Sequence, residues 1–366
     1  MITGVKYIMS RGSSGYSEAA KDYIIALHKA GIPVTVEYMV HDNSDYRSGE
    51  RNKLINTLVD QQIEYNKVII HTTPEFWPNY IREEKKEGIE IIGMSVWETD
   101  KLDDRWVGWV NMVDKVIVPC TWNKEVYLNS GIIKPIEVIP HIFKELPKAV
   151  GEIKGVNKSD TVFYTIGQWS NRKGVDDTIK AYLEAFTSTD SVCLIVKTFG
   201  NNYKEDQRRI IRNHVNDIMK VYPDPAKVIL LLREFSDIEM AALHGIGDCY
   251  VTLCKSEGFG LGMFDALGYK NPVLCTGYGG HLDFIDNKKW LIPYTLVPVS
   301  GMSWIPWYGT DQRWAQPDVQ KAANKMRRMK KYISAARKDA QVKQIYIKNF
   351  YNYTKVGESL IQTLNQ

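Results

Sequence analysis

The chain has little of several things, and each scarcity removes a class of function. It carries five cysteines, Cys120, Cys193, Cys249, Cys254 and Cys275, with no CxxC spacing. An odd, scattered set excludes a disulfide framework and reads as reduced thiols of a cytoplasmic protein. The seven histidines show no HxxxH or Cys/His ligand spacing, so a zinc centre has no sequence support. No two aspartates lie two apart, so the DxD motif that holds a metal against a diphosphate is absent, and no GxSxG elbow is present. No uncharged apolar run approaches a membrane span. The N-terminus lacks the charged-then-apolar layout of a signal peptide. Membrane contact is expected to be peripheral at most. The net charge of +4 is mild; it permits anionic ligands without arguing for nucleic acid.

What is present is ordinary globular composition on a long chain. Apolar residues make up 44% and charged residues 25% of 366 positions, enough for two cores. Short apolar runs alternate with amphipathic helical stretches, the pattern of parallel α/β sheets. Val5–Met9, Val34–Met39, Lys67–His71, Ile89–Ser95, Lys115–Val118 and Ile136–Ile139 read as strands of a first domain, residues 1–145. Periodicity lapses over Phe143–Asp160, which reads as a linker. A second series, residues 158–346, starts at the strand Thr161–Ile166. It continues through strands Cys193–Lys197, Val228–Leu232, Cys249–Leu253 and Pro272–Thr276 and intervening helices. Tyr294–Trp314 reads as a long aromatic loop, followed by helices over about 318–333 and 335–364, the last bending near Tyr353 to return to the first domain.

The most informative segment is Ser256-Glu257-Gly258-Phe259-Gly260-Leu261-Gly262-Met263-Phe264-Asp265. It follows a strand, opens a helix and sets two carboxylates on either side of three glycines. Glycines let backbone N–H groups approach a ligand closely, and a helix N-terminus favours phosphate. A carboxylate beside such a turn suits sugar hydroxyls. The segment therefore reads as a site for a phosphorylated sugar or nucleotide. A second turn, Gly167-Gln168-Trp169-Ser170-Asn171-Arg172-Lys173-Gly174, also joins a strand to a helix. Its adjacent Arg172 and Lys173 suit a diphosphate, one as a planar fork and the other as a point charge. Lys197, at the carboxyl end of the next strand, is placed to join them.

Other features carry two readings each. The Gly12–Ser17 loop, with Gly15 and Tyr16, lacks GxGxxG and a Walker lysine; it is either a plain βα turn or a phosphate and acceptor contact. Trp97-Glu98-Thr99-Asp100 is either a cleft wall beyond a strand end or a buried Trp beside a helix cap. The rings Tyr294, Trp304, Trp307, Tyr308 and Trp314 either stack on sugars or bases or pin their loop. The basic run Lys321 to Lys338 is a solvated helix face, or meets anionic lipid or nucleic acid.

Taken together these segments resemble the retaining glycosyltransferases of family 4. Ser256–Asp265, continued by Ala266-Leu267-Gly268-Tyr269-Lys270-Asn271-Pro272-Val273, is similar to the family's EGFGLxxxEA…G-PV signature, an E-x7-E motif that here is E-x7-D. Gly167…Arg172-Lys173-Gly174 resembles its donor-phosphate turn. Trp97–Asp100 and Val118-Pro119-Cys120-Thr121-Trp122 with Ser130-Gly131-Ile132 resemble parts of its first domain. The likeness is specific over about 161–286, looser over 1–145 and weak after Ser300.

The resemblance implies an α/β GT-B fold of two Rossmann-like domains facing across a cleft. The N-terminal one lies on the acceptor side, with a C-terminal helix of about 347–366 packed back on it. It implies a retaining, metal-independent enzyme without a cofactor, using a UDP- or GDP-linked sugar as co-substrate. Glu257 would contact the donor sugar, Arg172 and Lys173 would neutralise the diphosphate, and Asp265 would hold the ribose. Gly258, Phe259, Gly260 and Leu261 would meet phosphate and sugar, Arg233 and Glu234 the base, and Gly15, Gln168 and Lys197 the donor. Tyr16, Trp97 and Glu98 are acceptor-side candidates. Two departures stand out: Asp265 occupies a position that is usually Glu, and Gln168 one that is often Arg. The expected acceptor is a glycan or lipid-linked glycan. Alternatives are a hydroxylated base in DNA, a GT-B sugar-nucleotide epimerase that needs no acceptor, and a non-catalytic sugar-nucleotide binder.

Overall fold

A computed structural model describes residues 1–12, 14–39, 50–145 and 151–366. Ser13 of the glycine-serine loop and residues 146–150 of the expected linker lie outside the described residues. The chain divides into two compact units, residues 1–144 with 347–366, and residues 145–346.

Unit 1 is built on strands β1 (Val5–Met9), β2 (Val34–Tyr38), β3 (Lys67–His71), β4 (Glu90–Met94), β5 (Lys115–Val118) and β6 (Ile136–Val138). Helices α1 (Gly15–Lys29), α2 (Glu50–Leu58), α3 (Trp77–Glu84), α4 (Asp104–Val110) and α5 (Thr121–Asn129) connect them. All pairings are parallel, in the order β2-β1-β3-β4-β5-β6. Strands covered by helices on both faces must be apolar throughout, and Val68, Ile69 and Ile70 are all fully buried. The C-terminal helix, Tyr353–Asn365, packs on α1 through Val356, Leu360 and Leu364. Asn352 caps its start by accepting from the Lys355 amide at 3.0 Å. The Tyr353 hydroxyl donates to Asp22 at 2.6 Å, and Lys115 donates to the Thr363 carbonyl at 2.7 Å.

Unit 2 repeats the plan with strands β7 (Thr161–Gln168), β8 (Val192–Phe199), β9 (Val228–Leu231), β10 (Cys249–Thr252), β11 (Val273–Thr276) and β12 (Leu291–Ile292). Their order is β12-β11-β10-β7-β8-β9. Helices α6 (Val175–Ala185), α7 (Glu205–Lys220), α8 (Asp237–Ile246) and α9 (Leu261–Gly268) alternate with them. The chain leaves β7 towards β8 and β9, then returns to β10 and runs the other way. The sheet thus has a topological switch point between β7 and β10, where open α/β sheets bind ligands outside the strands' carboxyl ends.

One expectation needs correction. The aromatic segment is not a loop throughout: β13 (Tyr294–Pro298) and β14 (Arg313–Pro317) pair antiparallel as a hairpin. Alternating β-formers at both ends, such as Leu296, Val297 and Trp314, drive that pairing. Residues between the strands close over a small core of Val299, Met302 and Trp314. The C-terminal region holds α10 (Val319–Lys331), α11 (Ile333–Phe350) and the C-terminal helix, so the bend expected near Tyr353 is a full break between two helices. The break falls where Asn352 takes the cap position, since Asn satisfies orphan N–H groups better at a helix start than inside one.

Leu360 is fully buried among α1 residues. Leu360→Ala should destabilise unit 1 by about 2–5 kcal/mol, read as an earlier denaturant midpoint for the transition reported from that unit.

Candidate functional site

The switch point of unit 2 brings together the two segments singled out in the sequence. The turn after β7 carries Arg172 and Lys173; the segment after β10 carries Glu257. Lys173 Nζ lies 2.6 Å from one Glu257 carboxylate oxygen, and Arg172 Nη1 lies 3.3 Å from the other. The side chains of Lys173, Arg172 and Glu257 are 25%, 14% and 13% exposed respectively. Burial pushes the Glu257 carboxyl up, and Lys173 and Arg172 more than offset it, holding the group below its ordinary range. The carboxylate is therefore ionised near neutral pH, and a second positive charge beside it leaves room for an anion.

Backbone contacts lock the two segments. The Lys255 amide donates to the Arg172 carbonyl at 2.7 Å, and Arg172 Nη1 donates to the Ser256 carbonyl at 3.0 Å. The Thr178 hydroxyl accepts from the Leu253 amide and donates to the Gly174 carbonyl, both at 2.9 Å. Gly174, with φ +58°, caps α6, and a Cβ there would collide with the Leu253 carbonyl. Gly279, with φ +118°, lets the Gly280 amide reach the Glu257 carbonyl at 2.8 Å. A side chain at either glycine would push the segments apart.

Three residues here escaped the site assignment from sequence. His281 is fully buried and donates from Nε2 to the Thr276 carbonyl at 2.7 Å. Burial lowers its pKa, against smaller raising contributions from that carbonyl and from Glu257. Lys255 donates to Asn171 Oδ1 at 2.6 Å, and Asn171 donates to the Ser300 carbonyl at 2.7 Å. The turn Thr276–Gly280 was the available signal for His281. Nothing in spacing pointed to Lys255, whose partners lie more than eighty residues before it and about sixty after it.

The remaining candidates are placed as follows. Gln168 ends β7 and donates to the Gly200 carbonyl at 3.3 Å. Lys197, one strand over, is buried; its Nζ lies 3.1 Å from the Tyr203 hydroxyl and 5.3 Å from the Phe235 ring centre. Arg233 pairs with Glu239 at 2.5 Å, donates to the Glu234 carbonyl and lies over Phe235. Phe259 is a core residue, 5.1 Å from both Phe264 and Phe284. Gly258 is buried, Gly260 caps α9 with φ +94°, and Leu261 starts that helix. Asp265 lies half-buried one turn further along.

In unit 1, Gly15 opens α1, and Ser14 caps it by accepting from the Ser17 amide at 3.2 Å. The Tyr16 hydroxyl donates to the Val96 carbonyl at 2.8 Å and accepts from the Val96 amide at 3.1 Å. Trp97 is a core ring: its Nε1 lies 2.6 Å from the Thr99 hydroxyl, and its indole meets Trp106 edge-on at 4.5 Å. Glu98 is half-buried beside it, close enough to raise the pKa of Tyr16, which burial raises most. The basic run has structural work within unit 2. Arg327 donates to the Ala185 carbonyl at 2.9 Å, Lys330 pairs with Asp190 at 2.8 Å, and Arg337 with Asp248 at 2.8 Å. Among the described residues, no three His, Cys, Asp or Glu side chains converge as metal ligands, and no helix is long and apolar enough to cross a membrane.

No family model matches the sequence, and no curated protein matches it. Solved structures do. Anabaena Alr3699/HepE in complex with UDP-glucose aligns with a TM-score of 0.70 at 12% identity, over 100% of both chains. Sucrose-phosphate synthase from Thermosynechococcus elongatus aligns at 0.73 and 14% identity, over 100% of this chain and 98% of that one. The pneumococcal O-GlcNAc transferase GtfA in complex with UDP and GlcNAc aligns at 0.56 and 17% identity, over 82% of this chain and 56% of that one. At these identities the likeness is one of fold, and the chain has the GT-B fold of two Rossmann-like α/β units.

Proposed function

We propose that the chain is a metal-independent, retaining glycosyltransferase of the family 4 kind. It takes a sugar from a nucleotide diphosphate to a hydroxyl of a glycan or lipid-linked glycan. The observation that carries this reading is the near-dry contact of Glu257 with Lys173 and Arg172 at the switch point of unit 2. Breaking a sugar–phosphate bond builds negative charge on the leaving diphosphate. Fixed cations and the N–H groups opening α6 and α9 meet that charge as it forms, and they stabilise the transition state more than the ground state. Two cations held by the fold take the role that a divalent metal has in DxD enzymes. Glu257 accepts from hydroxyls of the donor sugar, and Asp265 from the ribose. Retention follows from attack on the face the diphosphate leaves, as in the family the sequence resembles. A uridine base is favoured because neighbouring structures hold UDP or UDP-glucose. A cytoplasmic setting accords with five buried thiols.

Glu257 contacts the same two cations that a diphosphate would claim. The donor must therefore displace or share this carboxylate's contacts, and the two anions repel at short range.

UDP should raise the melting temperature of the chain more than GDP or ADP in a thermal-shift panel, because only ligands of the native state stabilise it. No shift with any nucleoside diphosphate would remove the donor-site assignment. Glu257→Gln should split binding from turnover. UDP binds at least as tightly as to wild type, since a neighbouring negative charge is gone, while transfer falls about 10- to 100-fold with the lost charged hydrogen bonds. Arg172→Ala and Lys173→Ala should each weaken UDP binding and lower kcat by about 10²–10³. Titration calorimetry and release of free UDP measure both quantities. Isomerised nucleotide sugar formed without acceptor would replace this reading with an epimerase.

A further inference from the structure

Beside the ion cluster, unit 2 holds a separate cavity of about 350 Å³. Trp169, Asn171, Asp177, Lys255, Trp304 and Gln316 line it. Its walls come from the turn after β7, the first turn of α6, and the β13–β14 hairpin with the segment between its strands. Its size is at the lower end of small-molecule sites, about 300–1,000 Å³.

Hydrogen bonds among the lining residues fix their side chains. Lys255 is 8% exposed, and its ammonium is fixed on Asn171 at 2.6 Å. Gln316 donates to Asp177 at 3.1 Å, and Asp176 lies 2.8 Å from His214 Nε2, which also brings His214 edge-on to Trp169. Asp176 and Asp177 balance Lys180 and Lys255, all four on the cavity wall. A phosphate entering this space would meet two carboxylates as well as two ammonium groups. A ligand without charge and rich in hydroxyls meets matched donors and acceptors. The rings complete the match. Trp314 is fully buried, yet Trp304, ten residues earlier in the same hairpin, leaves 62% of its surface in water at the cavity rim. An exposed indole next to convergent polar groups presents an apolar face for a sugar ring.

We propose that this cavity is a binding subsite for a neutral saccharide, distinct from the cation-and-carboxylate site at the switch point. Asp177 accepts from sugar hydroxyls, Lys255 and Gln316 donate to them, and Trp304 covers the ring face. The subsite shares a wall with the ion cluster, because Asn171 and Lys255 directly adjoin Arg172 and Ser256 in the chain. Its occupant is therefore positioned to steady the turn that carries the two cations.

The test is titration of the full chain with the neutral disaccharides sucrose, trehalose, maltose and cellobiose, with glucose 1-phosphate as the charged probe. At least one disaccharide should bind saturably and shift tryptophan fluorescence. Trp304→Ala and Asp177→Asn should each weaken that binding about tenfold, the equivalent of about 1.4 kcal/mol, while UDP affinity stays unchanged. Trp304 sits at the surface, so its removal leaves the fold intact, and Trp304→Phe should restore part of the affinity. Failure of all four disaccharides to bind overturns the proposal. So does binding indifferent to both substitutions, or tighter binding of glucose 1-phosphate. Failure of UDP to bind would instead strike the donor-site reading and leave the saccharide result standing.

Discussion

Everything at the switch point depends on one ionic contact, Glu257 held between Lys173 and Arg172. None of these three charges is well solvated, and removing any one leaves the others in a poor dielectric. Such a cluster persists only if the backbone holds the groups together, and two glycines, a threonine hydroxyl and an amide-to-carbonyl bond from Lys255 to Arg172 do so. The loops after β7 and β10 thus behave as one body, although about eighty residues separate them in sequence. For the proposed transfer reaction that rigidity is an advantage, because dipoles already aimed need no reorganisation as charge develops.

Much of this was legible in the sequence because its signals are local. Strand-to-helix turns, glycines beside a carboxylate and an Arg-Lys couple are written in consecutive residues, and parallel sheets betray themselves by apolar runs. Two kinds of feature were not legible. Lys255 gains its importance from neighbours distant in sequence, so no spacing rule marks it, and His281 had only the glycine turn before it as a sign, not a ligand spacing. Trp97 and Trp304 show the other limit. Both are tryptophans beside polar residues, yet one ring lies in the core of unit 1 and the other in water. Composition cannot rank two identical side chains by burial; only the packing of α4 and of the β13–β14 hairpin does. The hairpin itself was hidden because its strands flank an aromatic segment that reads as irregular.

The two units solve one problem with different strand orders. Unit 1 reverses direction between β1 and β3, unit 2 between β7 and β10. Both reversals carry a buried Tyr–His network. In unit 2 the Tyr164 hydroxyl contacts His244 Nδ1 at 2.8 Å and accepts from Asn271 Nδ2 at 2.9 Å. In unit 1 the Tyr7 hydroxyl contacts His71 Nδ1 at 2.7 Å, and that of Tyr23 contacts His141 Nδ1 at 3.0 Å. Burial lowers the pKa of His71 and His141 to about 3, so both imidazoles are neutral at physiological pH and the unit 1 network adds no charge.

The five thiols are all buried, and the consequence is practical. Alkylating probes that react only with solvent-facing sulfur would leave the native chain unmarked. A single cysteine engineered onto each unit would then be the only pair to take a fluorophore or spin label. The distance between the two units, and its change when a ligand arrives, would be open to direct spectroscopic measurement without first stripping the natural residues.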